Sequence, residues 1–193
     1  MRNKALLLIV AALLLAVGTV TAGSNMGFKI TIPLIAGYAN YVSLPYRNSY
    51  TNAASLLADV PNASSVQRWD NATGTFQSYT GRGTNFPVIE GEGYIINVNT
   101  SGTWVVVGSD DPSFAVPLIA GYANYVSIPY NTTSINAATL FAQVPNVSSV
   151  QRWDNPTGTF QSYTGRGTNF PVTPGESIIV NVNTTCTWIP PHY

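Results

Sequence analysis

The sequence predicts a mainly β protein built from two tandem, homologous modules, each a small β-rich sandwich or barrel-like unit carrying one short helix. Three observations lead there. The string VQRWDNATGTFQSYTGRGTNFPV at Val66–Val88 returns, with one letter changed, at Val150–Val172. Every other correspondence shares its offset: Pro33–Tyr46 returns at Pro117–Tyr130, and Asn62, Trp69 and Trp104 return as Asn146, Trp153 and Trp188, each 84 residues on, without a gap. Self-similarity at one fixed period is the signature of a repeated structural unit. Finally, the stretches between turn-forming residues are short, β-branched and aromatic, which is strand composition. The expected organisation is a leader over residues 1–22, a first module over 23–109 and a second over 110–193.

The leader comes first in the chain. MRNKALLLIVAALLLAVGTVTA has a basic start (Arg2, Lys4), an apolar run, and the small residues Val20 and Ala22 at the positions that precede a cleavage site. It reads as a secretory signal peptide, with the mature chain starting at Gly23. A retained anchor is the competing reading, but Ala5–Val17 is short for a spanning helix. No Cys stands at the end of the run, so a lipid-linked terminus at this site is excluded.

In each module, FKITIPL alternates apolar and polar residues, NYVSLPY is β-branched and aromatic, SVQRWD and TFQSYT flank a turn, and GYIINVN and GTWVVVG complete the strands. The helix candidate is TNAASLLADVP. Thr51 or Asn52 can cap it, Ala53, Leu56, Leu57 and Val60 recur at helical spacing, and Pro61 stops it. The second copy keeps the pattern as Ala137, Leu140, Phe141 and Val144, a stripe that reads as core. Asn155, Pro156, Thr157 and Gly158 suit the four positions of a type I turn. A hairpin there, and at Asn71–Gly74 in the first copy, sets Trp69 across from Phe76, Arg68 across from Gln77 and Asp70 across from Thr75.

Composition limits function. Without Arg2 and Lys4, six basic residues face eight acidic ones, a net charge of −2. That offers no footprint for nucleic acid or an anionic membrane. So few charges among so many Asn, Thr, Ser, Gly and Tyr favour self-association. The only His is His192, and the only Cys, Cys186, stands where the first copy has Gly102, so the usual nucleophile and base arrangements cannot be assembled. Asp59 becomes Gln143 and Glu90 becomes Pro174, leaving Asp70 with Asp154 and Glu92 with Glu176 as the duplicated acids, for which local hydrogen bonds or ion pairs are expected. TGRGTN lacks the Lys-Ser or Lys-Thr of a phosphate cradle and reads as a loop. The adjacent Asp110 and Asp111 lack the spacing of a calcium loop and read as linker. No catalytic residue, metal ligand or cofactor is expected.

Two features remain for binding. Trp69 and Trp153, with Arg68, Arg152, Asp70 and Asp154, are candidates either for stacking on sugar rings or for packing at a core or interface. Sequons at Asn62, Asn71, Asn99, Asn131, Asn146 and Asn183 are candidate N-glycosylation sites, two of them duplicated as the pairs Asn62 with Asn146 and Asn99 with Asn183.

The succession NYVSLPY, short helix, VQRWD and NFPVIEGEGYIINV resembles a repeat module of secreted bacterial and archaeal cell-surface proteins that opens with Asn-x-Ile-Ser-Leu-Pro and closes with Gly-x-Gly-Tyr. Asn40, Val42, Ser43, Leu44 and Pro45 carry the opening, and Gly91, Gly93 and Tyr94 the close. The second copy keeps Asn124, Val126, Ser127 and Pro129 but has Ser177 and Ile178 in place of Gly93 and Tyr94. Low-charge β proteins of this type are also similar to subunits of archaeal surface layers or sheaths. The resemblance implies a surface location, a structural or adhesive role and no catalytic residues. The expectation is therefore a secreted, non-enzymatic cell-surface protein whose modules stack or assemble, with further copies or with other surface proteins, through exposed strand edges and aromatic faces. The alternative is a carbohydrate-binding or adhesive module with polysaccharide as partner.

Overall fold

A computed structural model of the chain describes residues 27–45, 47–71, 73–111 and 113–191. The leader and its cleavage site, Ala72 in the first hairpin turn, and His192 lie outside the described residues.

The chain is mainly β, with two short helices. In the first module β1 (Gly27–Leu34) pairs antiparallel with β6 (Gly102–Ser109), while β2 (Asn40–Ser43), β5 (Gly93–Val98), β3 (Ala63–Asp70) and β4 (Thr75–Tyr79) form a four-stranded sheet in the order β2-β5-β3-β4. The second module repeats this. β7 (Val116–Leu118) pairs with β12 (Cys186–Trp188), and β8 (Asn124–Ser127), β11 (Ser177–Val182), β9 (Val147–Asp154) and β10 (Thr159–Tyr163) stand in the order β8-β11-β9-β10. All four sheets stay within one copy or the other.

Each module is closed by its first and last strands, and its core lies between that two-stranded ribbon and the larger sheet. Ile32, Leu34, Trp104 and Val106 of the ribbon meet Val42, Val66, Tyr94 and Ile96 of the sheet in one buried cluster. Burial alternates along β1, with Ile32 and Leu34 inward and Lys29, Thr31 and Pro33 outward, as the pleat requires.

The helices are α1 (Ala53–Asp59) and α2 (Ala137–Gln143). Asn52 caps α1 in a capping box with Ser55, and Asn136 caps α2 with Thr139, so the first-turn donors are satisfied in both copies. Ala53, Leu56 and Val60 are buried, as are Ala137, Leu140 and Val144. The hairpin register is the expected one, with Trp69 opposite Phe76, Arg68 opposite Gln77 and Asp70 opposite Thr75. Its turn closes differently from the expectation: the Gly158 N–H donates to the Asp154 carbonyl at 2.8 Å, and Gly158 takes a left-handed φ of 63°. The glycine is there for that backbone conformation.

TGRGTN and its duplicate are loops with a defined task. The loop after β4 turns back along its outer edge, the Thr84 N–H donating to the Ser78 carbonyl at 3.1 Å and Tyr79 bridging Gly83. Gly83 has a φ of +98° and lies so close that a Cβ would stand 2.6 Å from the Ser78 oxygen. Gly167 repeats the arrangement beside β10, 2.8 Å from the Ser162 oxygen. The outer edges expected to recruit other chains are thus partly occupied by the protein's own backbone.

Candidate functional site: the junction between the modules

The duplicated motifs converge where the β2–β5 side of one sheet meets the β8–β11 side of the other. The Ser43 N–H donates to the Gly175 carbonyl at 2.9 Å, and the Ser127 N–H to the Gly91 carbonyl at 2.8 Å. The second bond is the first with each residue replaced by its duplicate. Val42 likewise bridges Glu176 while Glu92 bridges Val126. The junction therefore has approximate twofold character, the self-complementary arrangement of an isologous interface.

Aromatic residues fill it. Tyr41 and Tyr125, duplicates of one another, stack with centroids 6.1 Å apart. Trp153 stacks on Tyr41 at 5.5 Å, and Trp69 lies against Tyr125 at 6.1 Å. Each tryptophan meets its hairpin partner edge-on, Trp69 with Phe76 at 5.0 Å and Trp153 with Phe160 at 4.9 Å. Phe160 and Phe76 reach across in turn to Tyr41 and Tyr125 at 5.6 and 5.7 Å. Offset and edge-on contacts at these separations are the attractive geometries of aromatic rings. The repeated string thus supplies four of six rings that join the copies, and Trp69 and Trp153 each have a ring neighbour from the opposite module. Burial among the rings raises the pKa of both Tyr41 and Tyr125.

The charged candidates form ion pairs. Arg68 holds Glu92 in a two-point contact, Nε to Oε2 at 2.6 Å and Nη2 to Oε1 at 2.8 Å, and Arg152 holds Glu176 at 2.5 Å. The Glu92 hydrogen bond raises the Arg68 pKa. At Glu176 burial outweighs Arg152, so the carboxyl sits above its ordinary range. Asp70 accepts from Thr73 at 2.9 Å and Gln77 at 3.2 Å, and Asp154 from Thr157 at 2.6 Å, which makes both acids part of the hairpin ends. Asp111 joins the linker to the first module, accepting from Ser113 Oγ at 2.7 Å and pairing with Arg47 at 3.3 Å. No cluster of three or more His, Cys, Asp or Glu side chains suited to a metal ion occurs among the described residues.

Two equivalent clefts flank the rings. The larger, of about 340 Å³, is bounded by Pro33, Tyr41, Arg152, Trp153, Asn155 and Glu176. Its counterpart beside Trp69, Asn71 and Tyr125 is only about 70 Å³. The copies differ next to both: Phe114, duplicate of Ile30, packs its ring over Gly91, whereas Ile30 and Ile32 cover Gly175. In each cleft the tryptophan Nε1 and the asparagine Oδ1, of Trp153 and Asn155 or of Trp69 and Asn71, are buried with no hydrogen-bond partner among the described residues.

The motif residues of the first copy have structural work. Asn40 Oδ1 accepts from the Ile35 N–H at 2.8 Å, while its Nδ2 donates to the carbonyls of Ile35, Tyr38 and Ile96 at 3.0 to 3.2 Å, and Asn124 repeats this set. Tyr94 donates its hydroxyl to the Ile89 carbonyl and accepts from the Ile89 N–H. Asn62 and Asn146 are exposed and adopt left-handed backbone, φ 57° and 53°, just beyond the helices. Asn99 and Asn183 are exposed beside them, each donating its N–H to the Asn62 or Asn146 carbonyl at 2.9 Å. Asn71 and Asn131 are only partly exposed, Asn71 with its side chain 3.4 Å from Asn124. Cys186 donates to the Pro145 carbonyl at 3.4 Å.

Sequence reasoning missed Tyr41 and Tyr125, and it read Ser43, Ser127, Gly93 and Ser177 as motif positions without placing them at a junction. Ser177 in place of Gly93 was a signal, but many duplicated positions differ and nothing local shows that the two face each other. Compared with known proteins, the chain matches no family model, no curated protein and no solved structure.

Proposed function

We propose that this is a secreted, non-enzymatic structural protein of the cell surface, whose paired modules form one building block for assembly with further copies or other surface proteins. The observation that carries the reading is the fate of the repeated string. Its residues Trp69, Phe76, Trp153 and Phe160 join the two modules to each other, and its Arg68 and Arg152 pair internally with Glu92 and Glu176. What remains outward is weakly charged β surface with apolar positions, among them Val105 and Val107, two residues apart on one face of β6 and exposed by 44% and 63%, and Ile189, the duplicate of Val105, exposed by 69%. Neighbouring apolar side chains left in water on such a face are the proposed contact. Because the loops at Gly83 and Gly167 run along the outer sheet edges, these faces, rather than strand addition, are the proposed means. The test is sedimentation velocity of the mature chain, with Val105→Lys and Val107→Lys introduced together. Large species should form with the native chain and be lost in the variant; a strictly monomeric native chain at high concentration overturns the reading.

A second reading, saccharide binding, draws on the cleft of about 340 Å³, a size suited to one small ring-shaped ligand. It places the sugar beside Trp153 and Asn155 instead of on an open tryptophan face, since Tyr41 stacks on one side of that indole. Retention on immobilised polysaccharide, tested with Asn155→Ala, checks it.

A further inference from the structure

The surface that joins the modules is nearly its own complement, and one departure from that symmetry lies where the two modules face each other most closely. Gly93 faces Ser177, its own duplicate: a Cβ on Gly93 would stand 1.8 Å from Ser177 Oγ and 2.5 Å from its Cβ. Both positions begin equivalent strands, β5 and β11, and Gly93 is not in left-handed backbone. The glycine therefore answers a facing side chain, not a local backbone demand. The surface discriminates as a result. Glycine facing serine fits, serine facing serine collides, and glycine facing glycine leaves a gap.

We propose that this surface also docks a second copy of the chain, the first module of one against the second module of another, with the pair at positions 93 and 177 deciding which modules can face. The inference rests on the assembly reading given above. Each chain carries one half of each kind, joined by the short connection between Ser109 and Val116. Pairing within the chain dominates in dilute solution, because a short linker holds its partner at an effective concentration on the order of millimolar. At the crowding of a surface layer, pairing between chains competes. Each copy then connects to two neighbours, or two copies close into a ring, by the rules that govern exchange of identical elements.

Two variants of the full mature chain test this. Gly93→Ser sets serine against serine within the chain, and Ser177→Gly sets glycine against glycine. The serine introduced at position 93 occupies a site where the other module already carries serine, so the module itself is expected to fold. In an equimolar mixture each of the two junctions between unlike chains regains one glycine and one serine. The expected result is a 1:1 complex of twice the chain mass in sedimentation from the mixture alone. Gly93→Ser by itself should sediment more slowly than the native chain because its modules separate, and the double variant Gly93→Ser/Ser177→Gly should recover the native sedimentation coefficient. Absence of a complex on mixing, a Gly93→Ser chain as compact as the native one, or failure of the double variant to recover would each overturn the inference. A native chain that forms large species while the mixture forms no complex removes this docking mode and leaves the assembly reading intact. A complex from the mixture, with a native chain that closes into two-copy rings but forms no larger species, does the reverse.

Discussion

Replacing Trp153 by alanine tests whether the repeated string is there to hold the modules together. The substitution removes a stack on Tyr41 at 5.5 Å and an edge contact with Phe160 at 4.9 Å. Each such aromatic pair contributes about 0.5–1.5 kcal/mol beyond the area it buries. Trp153 is only partly buried, so the total cost should fall somewhat below that of a fully buried tryptophan, at about 2–4 kcal/mol. For a chain of this size that lowers the melting temperature by roughly 5–15 °C, measured by calorimetry of the mature protein. The contacts also predict coupling. Trp153 touches Tyr41, Trp69 touches Tyr125, and the tyrosines stack on one another, so Trp69→Ala and Trp153→Ala should be non-additive by about 0.5–1 kcal/mol. An unchanged melting temperature for either single variant would refute the packing argument, and if polysaccharide retention were lost at the same time, the saccharide reading would take its place.

Three further outcomes are expected. Asn40→Ala removes one acceptor and one donor from a loop holding four hydrogen bonds; leaving buried backbone groups unpaired costs about 1–3 kcal/mol each, so the first module should be destabilised by about 3 kcal/mol or more in denaturant titration. Asp59 accepts from Trp104 Nε1 at 3.0 Å and from the Tyr50 hydroxyl at 2.5 Å, so Asp59→Ala should cost about 1–3 kcal/mol and shift the Trp104 emission; Trp188 Nε1 has no hydrogen-bond partner among the described residues, so Gln143→Ala should have no comparable effect on Trp188. Glu176 has a folded-state pKa above its ordinary value of 4.5 because burial outweighs Arg152, so its contribution is fully present below 4.5 and is lost as pH rises through the raised value; Glu176→Gln should flatten the decline of melting temperature with pH in that window, and an unaltered slope would contradict the assignment.

The parts of the fold that were legible in the sequence are those set by local periodicity and by duplication. A cap for α1 at Thr51 or Asn52, of which the fold uses Asn52, its Ala53, Leu56, Leu57 and Val60 stripe, and the pairing of Trp69 with Phe76 all follow from patterns a few residues long, repeated twice. The junction was not legible, because it depends on which faces of two folded units meet. The candidate tryptophans were visible as core, interface or sugar-stacking residues, but Tyr41 and Tyr125 stand out only as strand aromatics, and Ser177 in place of Gly93 only as a departure from the motif. In space it is a steric requirement. Expected open edges also proved to be partly covered, since only the folded loop shows that Thr84 reaches back to Ser78.

That backward loop has a consequence for how the chain behaves at high concentration. Ribbon-like aggregation grows by adding backbone to backbone, and one side of each larger sheet is engaged by the other module while the loops at Gly83 and Gly167 lie along part of the opposite side. Those contacts leave the larger sheets less open to backbone-to-backbone addition at high concentration. Whatever contacts the chain then makes through its outer faces are governed by side chains, and can be undone.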